Sequence, residues 1–352
     1  MTTALVEATR LKTVCSQILQ SAGIAADDAD FTAHTLVEAD LRGVHSHGCL
    51  RLSRYVRELR QGITNTQPQI RTLAEGPGFA RVDGDGALGP LVGRYAMELC
   101  LEKAQHAGSA TVTASGSRHF GTAGTYCLMA RERDFIGLAM TVASPRLAPT
   151  GGIQPLFGNN PISLSVPGDQ DFPLLIDLAM GSIAAGRLEL AAGEKQELAP
   201  GLARDAQGLP TTDPEIALKG SIVPIGEHKG YGLTLLIEIL AGLLSGAPYF
   251  GVEREQVAQH TREKGIGHFF MAIDPARFMP LAQFKAAIAG MVAHTKTSPP
   301  MPGVEEILLP GEMEERLRRQ RLAAGIPLAA STAAAVDQLA QTCGTSLQGE
   351  TP

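Results

Sequence analysis

In the stretch Gly43-Val44-His45-Ser46-His47-Gly48-Cys49-Leu50-Arg51-Leu52-Ser53-Arg54-Tyr55, an imidazole, a guanidinium and a phenol follow one another at four-residue spacing. The stretch reads as the start of a helix. At about 100° per residue, Arg51 falls roughly 40° and Tyr55 roughly 80° around the axis from His47. Leu52, Val56 and Leu59 fall roughly 120° to 180° away, where the buried stripe of an amphipathic helix would lie. His47, Arg51 and Tyr55 therefore share a face of their own, and Gly62 is placed to end the helix. A guanidinium fork binds a carboxylate through two parallel bonds, and an imidazole gives or takes a proton near neutral pH. Ser46 can orient that imidazole or bond the reacting oxygen. Such a trio suits a small anionic substrate. Spacing alone equally describes an exposed helix start with solvated charges. His45 and His47 stand close in sequence without an acidic or cysteine cluster, so no metal is expected.

Three further segments have site-like composition. In Gly116-Ser117-Arg118-His119-Phe120-Gly121-Thr122-Ala123-Gly124, small residues surround an imidazole and a guanidinium after an expected strand. Glycines let a ligand approach the backbone, and the helix start that follows offers free amides to an anion. Gly158-Asn159-Asn160-Pro161 is a turn whose side-chain amides both donate and accept. Gly226-Glu227-His228-Lys229-Gly230-Tyr231-Gly232 stands before a leucine-rich helix, where a lysine and backbone amides form a cradle for phosphate or carboxylate. Each also reads as an ordinary loop.

Gly84-Asp85-Gly86-Ala87-Leu88-Gly89 matches the glycine pattern of a Rossmann phosphate loop, after a strand and before a helix. Pro90 follows at once, and the next strand ends near Ala114 to Ser117 without an acid for a ribose. The match is read as a glycine-rich turn. A hydrolase with Ser46 as nucleophile is also disfavoured, because sequence neighbours on a helix point apart and no G-x-S-x-G surrounds Ser46.

The elements that must position these groups form an α/β chain. Its 352 residues can bury a substantial core. With 44% hydrophobic and 19% charged residues the composition is globular. A net charge of −6 with no basic run excludes nucleic acid as the main partner. Five cysteines without a C-x-x-C pair fit reduced thiols. The first residues carry no secretory leader, and the most apolar run, 232–247, is short and contains Glu238, so a soluble cytoplasmic protein is expected. Helices are expected through about residue 62, around 90–106, from Leu233 and at 312–324. Strands are expected at 78–82, 110–114, 136–142, 162–166, 174–177 and 268–273. Pro210-Thr211-Thr212-Asp213-Pro214 reads as a surface loop. The expected organisation is a helical region over 1–75, packed with C-terminal helices over 300–345, around an α/β core over 76–299.

Together the segments resemble the type-2 malate/L-lactate dehydrogenase family of nicotinamide-dependent oxidoreductases. The markers run in family order over residues 10 to 340: S-H-G-x-x-R, R-H-F-G, G-N-N-P, I-D-L-A-M-G-S, P-T-T-D-P, H-K-G-Y-G-L, G-H-F-F-M-A-I-D-P and L-P-G-E. The resemblance implies a non-Rossmann fold in which a predominantly antiparallel mixed sheet binds the dinucleotide. It also implies a homodimer with the active site near the subunit contact. By the same resemblance His47 is the proton donor in the reducing direction, Ser46 its partner, and Arg51 the anchor for the substrate carboxylate. His119 is a second active-site histidine, and Tyr55 and Asn159 are substrate-side candidates. His119, Phe120, Gly121, Asp177, Leu178, Ala179, His228, Lys229, Pro310, Gly311 and Glu312 match coenzyme-contacting stretches. The coenzyme is NAD or NADP. The substrate expected is a 2-oxo or 2-hydroxy acid of malate, lactate or sulfolactate type, with a cyclic imino acid (Δ1-piperideine- or Δ1-pyrroline-2-carboxylate) as the alternative. Where many relatives have Thr, Thr-Asn-Ser and Pro-Trp-Gly, this chain has Asn159, Thr141-Val142-Ala143 and Pro149-Thr150-Gly151, which makes one pocket wall less polar.

Overall fold

The computed structural model describes residues 3–248 and 265–347. Thr3–Val6 (β1) pairs antiparallel with Ile326–Ala329 (β14), so the two ends of the chain meet. Helices Ala8–Ser21 (α1), Ala26–Leu41 (α2), Leu52–Arg60 (α3) and Ala330–Gln341 (α11) pack beside this pair. They share a core of Leu11, Ile18, Leu36, Leu52, Val56, Leu328 and Val336. Asp27 and Asp28 lie in the first turn of α2, where acids complement the positive end of the helix dipole. In α3 the stripe Leu52, Val56 and Leu59 is buried as its spacing predicts, at roughly 1.5–3 kcal/mol per side chain.

The central sheet has seven strands. In spatial order they are Arg71–Gly76 (β2), Phe79–Ala87 (β3), Ser109–Ser117 (β4), Ile266–Ile273 (β13), Ile136–Thr141 (β5), Ile162–Ser165 (β8) and Leu175–Leu178 (β9). Only β3 and β4 run parallel; the other five pairings are antiparallel. A parallel pair needs a crossover, and Gly89–Ala107 (α4) supplies it, with Pro90 in its first turn and Gly108 at its end at a φ of 85°. Strand β3 alternates between buried and exposed residues, whereas β4 is buried at nearly every position. Val82, Met97, Val112, Phe270 and Tyr126, the last on helix Gly124–Arg131 (α5), fill the core beneath.

Two short helices sit on a smaller sheet made of Pro145–Leu147 (β6), Phe157–Gly158 (β7), Ala203–Arg204 (β10), Pro210–Thr211 (β11) and Ser221–Ile222 (β12). They are Ala185–Glu194 (α6) and Pro214–Lys219 (α7), sharing a core of Leu188, Ala191, Ala203, Ala217 and Ile222. The segment read as a bare surface loop is therefore structured: Pro210 and Thr211 form β11. Asp213 caps α7 by accepting from the Glu215 and Ile216 amides.

Helix His228–Ile237 (α8) continues into a π-helical turn at Glu238–Leu243. Its leucine repeat faces mostly outward: Leu233, Leu236, Leu243 and Leu244 are exposed, whereas Leu240 packs against the core of Met140, Val142 and Ile237. Helices Leu281–Lys296 (α9) and Glu312–Ala324 (α10) complete the described elements, and in α9 only Val292 is buried. Among the described residues no helix is long and apolar enough to cross a membrane.

Candidate active site

The catalytic stretch is not the start of an α-helix. Residues His45–His47 and Cys49–Arg51 form two separate 3-10 turns, and α3 begins only at Leu52. Gly48 lies between the turns with a ψ of −152°, so the uniform helical rotation expected from His47 to Tyr55 does not hold. The break has a chemical consequence. Ser46 Oγ lies 2.9 Å from His47 Nδ1, a side-chain contact between neighbours that a regular helix disfavours. Arg51 Nε donates to the Ser46 carbonyl at 2.6 Å, and among the described residues its terminal nitrogens make no further hydrogen bond, which leaves them to a carboxylate.

The second histidine arrives from the end of β4. His119 stacks on His47 with ring centres 5.2 Å apart. Its Nδ1 lies 2.8 Å from the Tyr55 hydroxyl. Tyr55 itself is 1% exposed, and its hydroxyl also reaches the His119 carbonyl at 3.2 Å. The glycine pattern at Gly84–Gly89 also finds its use here. A Cβ on Gly89 would lie 2.4 Å from the carbonyl oxygens of Arg118 and His119, so only glycine lets this backbone approach. The glycine-rich turn cradles the histidine segment.

Beneath His119, His268 is fully buried. It stacks on Phe120 at 4.5 Å, with its ring nitrogens 2.7 Å from the Thr141 and Ser117 hydroxyls. Each hydroxyl also reaches a backbone carbonyl, Thr141 that of Gly267 at 3.0 Å and Ser117 that of Arg118 at 3.3 Å, so the ring is held on both sides. In the sequence His268 shows only as a lone histidine in an apolar strand.

Burial governs the electrostatics. It pulls His47 down to about 4, with the Arg51 charge adding to the effect. His119 is held well below the usual imidazole range by burial first, then by His47 and Arg51. Burial raises the Tyr55 phenol. Both shifts favour the neutral, proton-accepting form of the imidazoles. Arg51 is drawn below its ordinary value by burial and by Arg54, yet a guanidinium remains charged. Helix α6 covers this site: a Cβ on Gly186 would lie 3.1 Å from Ser46 Cβ.

Asn159, a substrate-side candidate, also makes contacts with the scaffold. Its Oδ1 accepts from the Gly181 amide and its Nδ2 contacts the Ile183 carbonyl, so the side chain braces the wall leading into α6. Its neighbour Asn160 is buried, accepting from the Ala143 amide and donating to Glu238, each at 2.9 Å. These amides are spent on the scaffold.

The remaining expected stretches divide into two groups. At the free edge of the central sheet, the Asp177 carboxylate accepts from the Gly124 amide at 3.2 Å. Two residues earlier, the Leu175 amide donates to the Pro310 carbonyl, which brings the Pro310-Gly311-Glu312 turn to the same edge. Asp177 and Leu178 are exposed there, Ala179 is half-buried, and Gly121 has open space around it. Glu312, by contrast, is buried and engaged by Lys296, Arg316 and the Leu309 amide, so its carboxylate holds the turn together. His228 and Lys229 are exposed in the first turn of α8, whose N-terminus has no side-chain cap. Open backbone amides, an ammonium group and an exposed sheet edge with a carboxylate suit the diphosphate and ribose hydroxyls of a dinucleotide.

A histidine pair beside a guanidinium fork is an arrangement that can perform acid–base chemistry on a small carboxylate. Comparison with known proteins gives the class a family. A profile of the malate/L-lactate dehydrogenase family matches residues 6–337. A malate dehydrogenase of Pyrococcus horikoshii is 39% identical over 345 residues, 95% of this chain and 94% of that protein. Its solved structure superposes with a TM-score of 0.90, covering 98% of this chain and 97% of that one. Sulfolactate dehydrogenase of Methanocaldococcus jannaschii gives a TM-score of 0.91 at 35% identity, covering 98% and 99% of the two chains. Two other relatives carry coenzymes in their names. One is a (2R)-3-sulfolactate dehydrogenase (NADP(+)) of Chromohalobacter salexigens, 33% identical over 88% of this chain and 90% of that protein. The other is a ureidoglycolate dehydrogenase (NAD(+)) of Escherichia coli K12, 30% identical over 88% of both. This chain belongs to the malate/L-lactate dehydrogenase family and is an oxidoreductase.

Proposed function

We propose that the protein transfers a hydride between NAD(P) and the α-carbon of a small 2-oxo or 2-hydroxy acid of the malate, lactate or sulfolactate type. The observation that carries this reading is Arg51 held beside the His47–His119 pair, with only its Nε engaged. The two terminal nitrogens of Arg51 take the substrate carboxylate and fix the reacting carbon next to the histidines. Nδ1 of His47 is engaged by Ser46, so Nε2 takes the hydroxyl proton in oxidation and returns it to the developing alkoxide in reduction. Tyr55 holds the ring of His119, and α6 limits access of water above Ser46. The coenzyme, when bound, supplies or takes up the hydride at its nicotinamide ring. Gly121, Asp177 and Leu178 at the sheet edge and Lys229 at the start of α8 would hold it. Since the sheet has a single parallel pair, this groove is an open edge rather than a Rossmann crevice.

The protein would act as a homodimer in a reducing cytoplasm. The outward leucine stripe of α8 and the largely uncovered α9 support a second copy as their cover. All five cysteines are unpaired, which suits a compartment that keeps thiols reduced. Light scattering of the purified protein measures the oligomeric state, and a monomer mass would remove this part of the reading.

Initial rates with NADH and NADPH against pyruvate, oxaloacetate, sulfopyruvate and the two cyclic imines test the reaction itself. A 2-oxo acid should exceed either imine by more than about tenfold in kcat/KM, roughly 1.4 kcal/mol of transition-state binding. No loss of reduced-nicotinamide absorbance with any substrate would sink the proposal, and an imine ahead by that margin would move it to the imino-acid branch.

A further inference from the structure

Asp40 stands in the last turn of α2, where an acid opposes the negative end of the helix dipole. It is nevertheless 1% exposed. One carboxylate oxygen accepts from the Cys49 amide at 2.7 Å. The other is 2.8 Å from His45 Nδ1. His45 and Cys49 bracket His47 at two residues on either side. Between them, a Cβ on Gly48 would lie 2.2 Å from the Asp40 carboxylate, so the loop is laid directly on this group. From the C-terminal helix α10, Arg321 reaches both ends of the arrangement. Its guanidinium donates to the Asp40 carbonyl and, at 3.2 Å, to His45 Nε2.

The proton on His45 follows from this geometry. A guanidinium only donates, so Nε2 must accept, and the ring proton sits on Nδ1, pointing at Asp40. The carboxylate thus receives two donors with fixed directions, and those directions set where residues 45 to 49 run. We propose that Asp40 is the positioning residue for His47, fixing both 3-10 turns of the catalytic loop through His45 and Cys49, with Arg321 locking the His45 tautomer. This rests on the assignment of His47 as the acid–base group. Asp40 touches neither substrate nor coenzyme.

The tautomer lock makes the test sharp, because it gives one substitution opposite signs in two backgrounds. In Asp40→Asn the amide oxygen can still accept from Cys49, but its NH₂ then faces His45 Nδ1–H, donor against donor. A loop displaced by about 1 Å should cost about 10²-fold in kcat, with the KM for coenzyme unchanged. Arg321→Met frees Nε2 to carry the proton, so Nδ1 can accept from the new amide. Added to Asp40→Asn, it should restore kcat at least about fivefold; alone, it should lower kcat by about twofold. Equal losses from Arg321→Met in both backgrounds would overturn the tautomer lock and the proposal with it. Asp40→Asn within about twofold of the parent kcat would overturn it directly. If Asp40→Asn does not fold, as read by circular dichroism, His45→Ala replaces it, since that ring is half exposed. A loss of about tenfold in kcat at unchanged coenzyme KM is then expected, and parent-like turnover overturns the proposal. A parent protein inactive on every substrate fails the functional reading instead, which keeps the two failures distinct.

Discussion

The two histidines reach the same cleft by different means. His47 lies on a loop without regular helix, held by side-chain bonds: Ser46 to its ring, Arg51 to the Ser46 carbonyl, and Asp40 to the residues on either side. His119 lies at the end of a buried strand and is held by packing, with Gly89 under its backbone and Phe120 flat on His268. A bond-held loop depends on each of its few directional bonds, which here are partly or fully shielded from water. A packed segment moves only if its core does. In the proposed reaction His47 moves the proton, and His119 is the fixed surface against which it works.

The largest effect on this contrast should come from Gly89→Ala. The added methyl has carbonyl oxygens on its far side rather than a flexible side chain. The expected cost is about 3 kcal/mol of stability, the upper part of the overpacking range, read as a lower denaturant midpoint. Parent-like stability would mean that the His119 segment is not held by packing. Arg51→Lys keeps the charge but loses the fork, so the KM for the carboxylate substrate should rise by roughly ten- to a hundredfold, or about 1.4–2.8 kcal/mol. Coenzyme KM should stay constant; a rise in coenzyme KM instead would place Arg51 on the wrong ligand.

A smaller change is expected from Ser46→Ala, which removes one bond from the His47 ring. It should lower kcat about fivefold, the value of a single hydrogen bond of about 1 kcal/mol, while leaving the melting temperature in place. A shift in melting temperature with parent kcat would give Ser46 a purely structural part.

The packed side should show itself through pH. His268 has its pKa drawn down from 6.5 to about 3 by burial. Between those values the unfolded chain binds a proton that the folded chain does not, so stability falls as pH falls through that window. The slope contributed by one such group approaches about 1.4 kcal/mol per pH unit. His268→Gln should flatten the dependence of unfolding free energy on pH between 6 and 4 by up to that amount. An unchanged slope would mean that His268 is protonated in the folded protein.

The contrast also explains what could be read from the sequence. The strands around the core were legible from apolar runs bounded by glycine and proline, because strand burial is a local pattern. His47, Arg51 and Ser46 were legible as residue types. Their arrangement was not, because the α-helical rotation assumed for them is broken at Gly48 by a carboxylate in the preceding helix and an arginine near residue 320. The Tyr55–His119 contact was illegible for the same reason. The glycine pattern at 84–89 was legible as a tight turn, but its partner, the His119 backbone, comes from across the β3–β4 crossover. The outward leucines of α8 carry a perfect buried-helix period, and no period records which surface covers it.

The central claim is that His47 exchanges the substrate proton while His119 supports it. Turnover of His47→Ala and His119→Ala, measured side by side at saturating coenzyme and carboxylate substrate, tests it most directly. His47→Ala should lose about 10²- to 10⁴-fold in kcat, the range for a missing acid–base group, and His119→Ala clearly less. If His47→Ala turns over at nearly the parent rate while His119→Ala is inactive, the roles are reversed and the account is wrong.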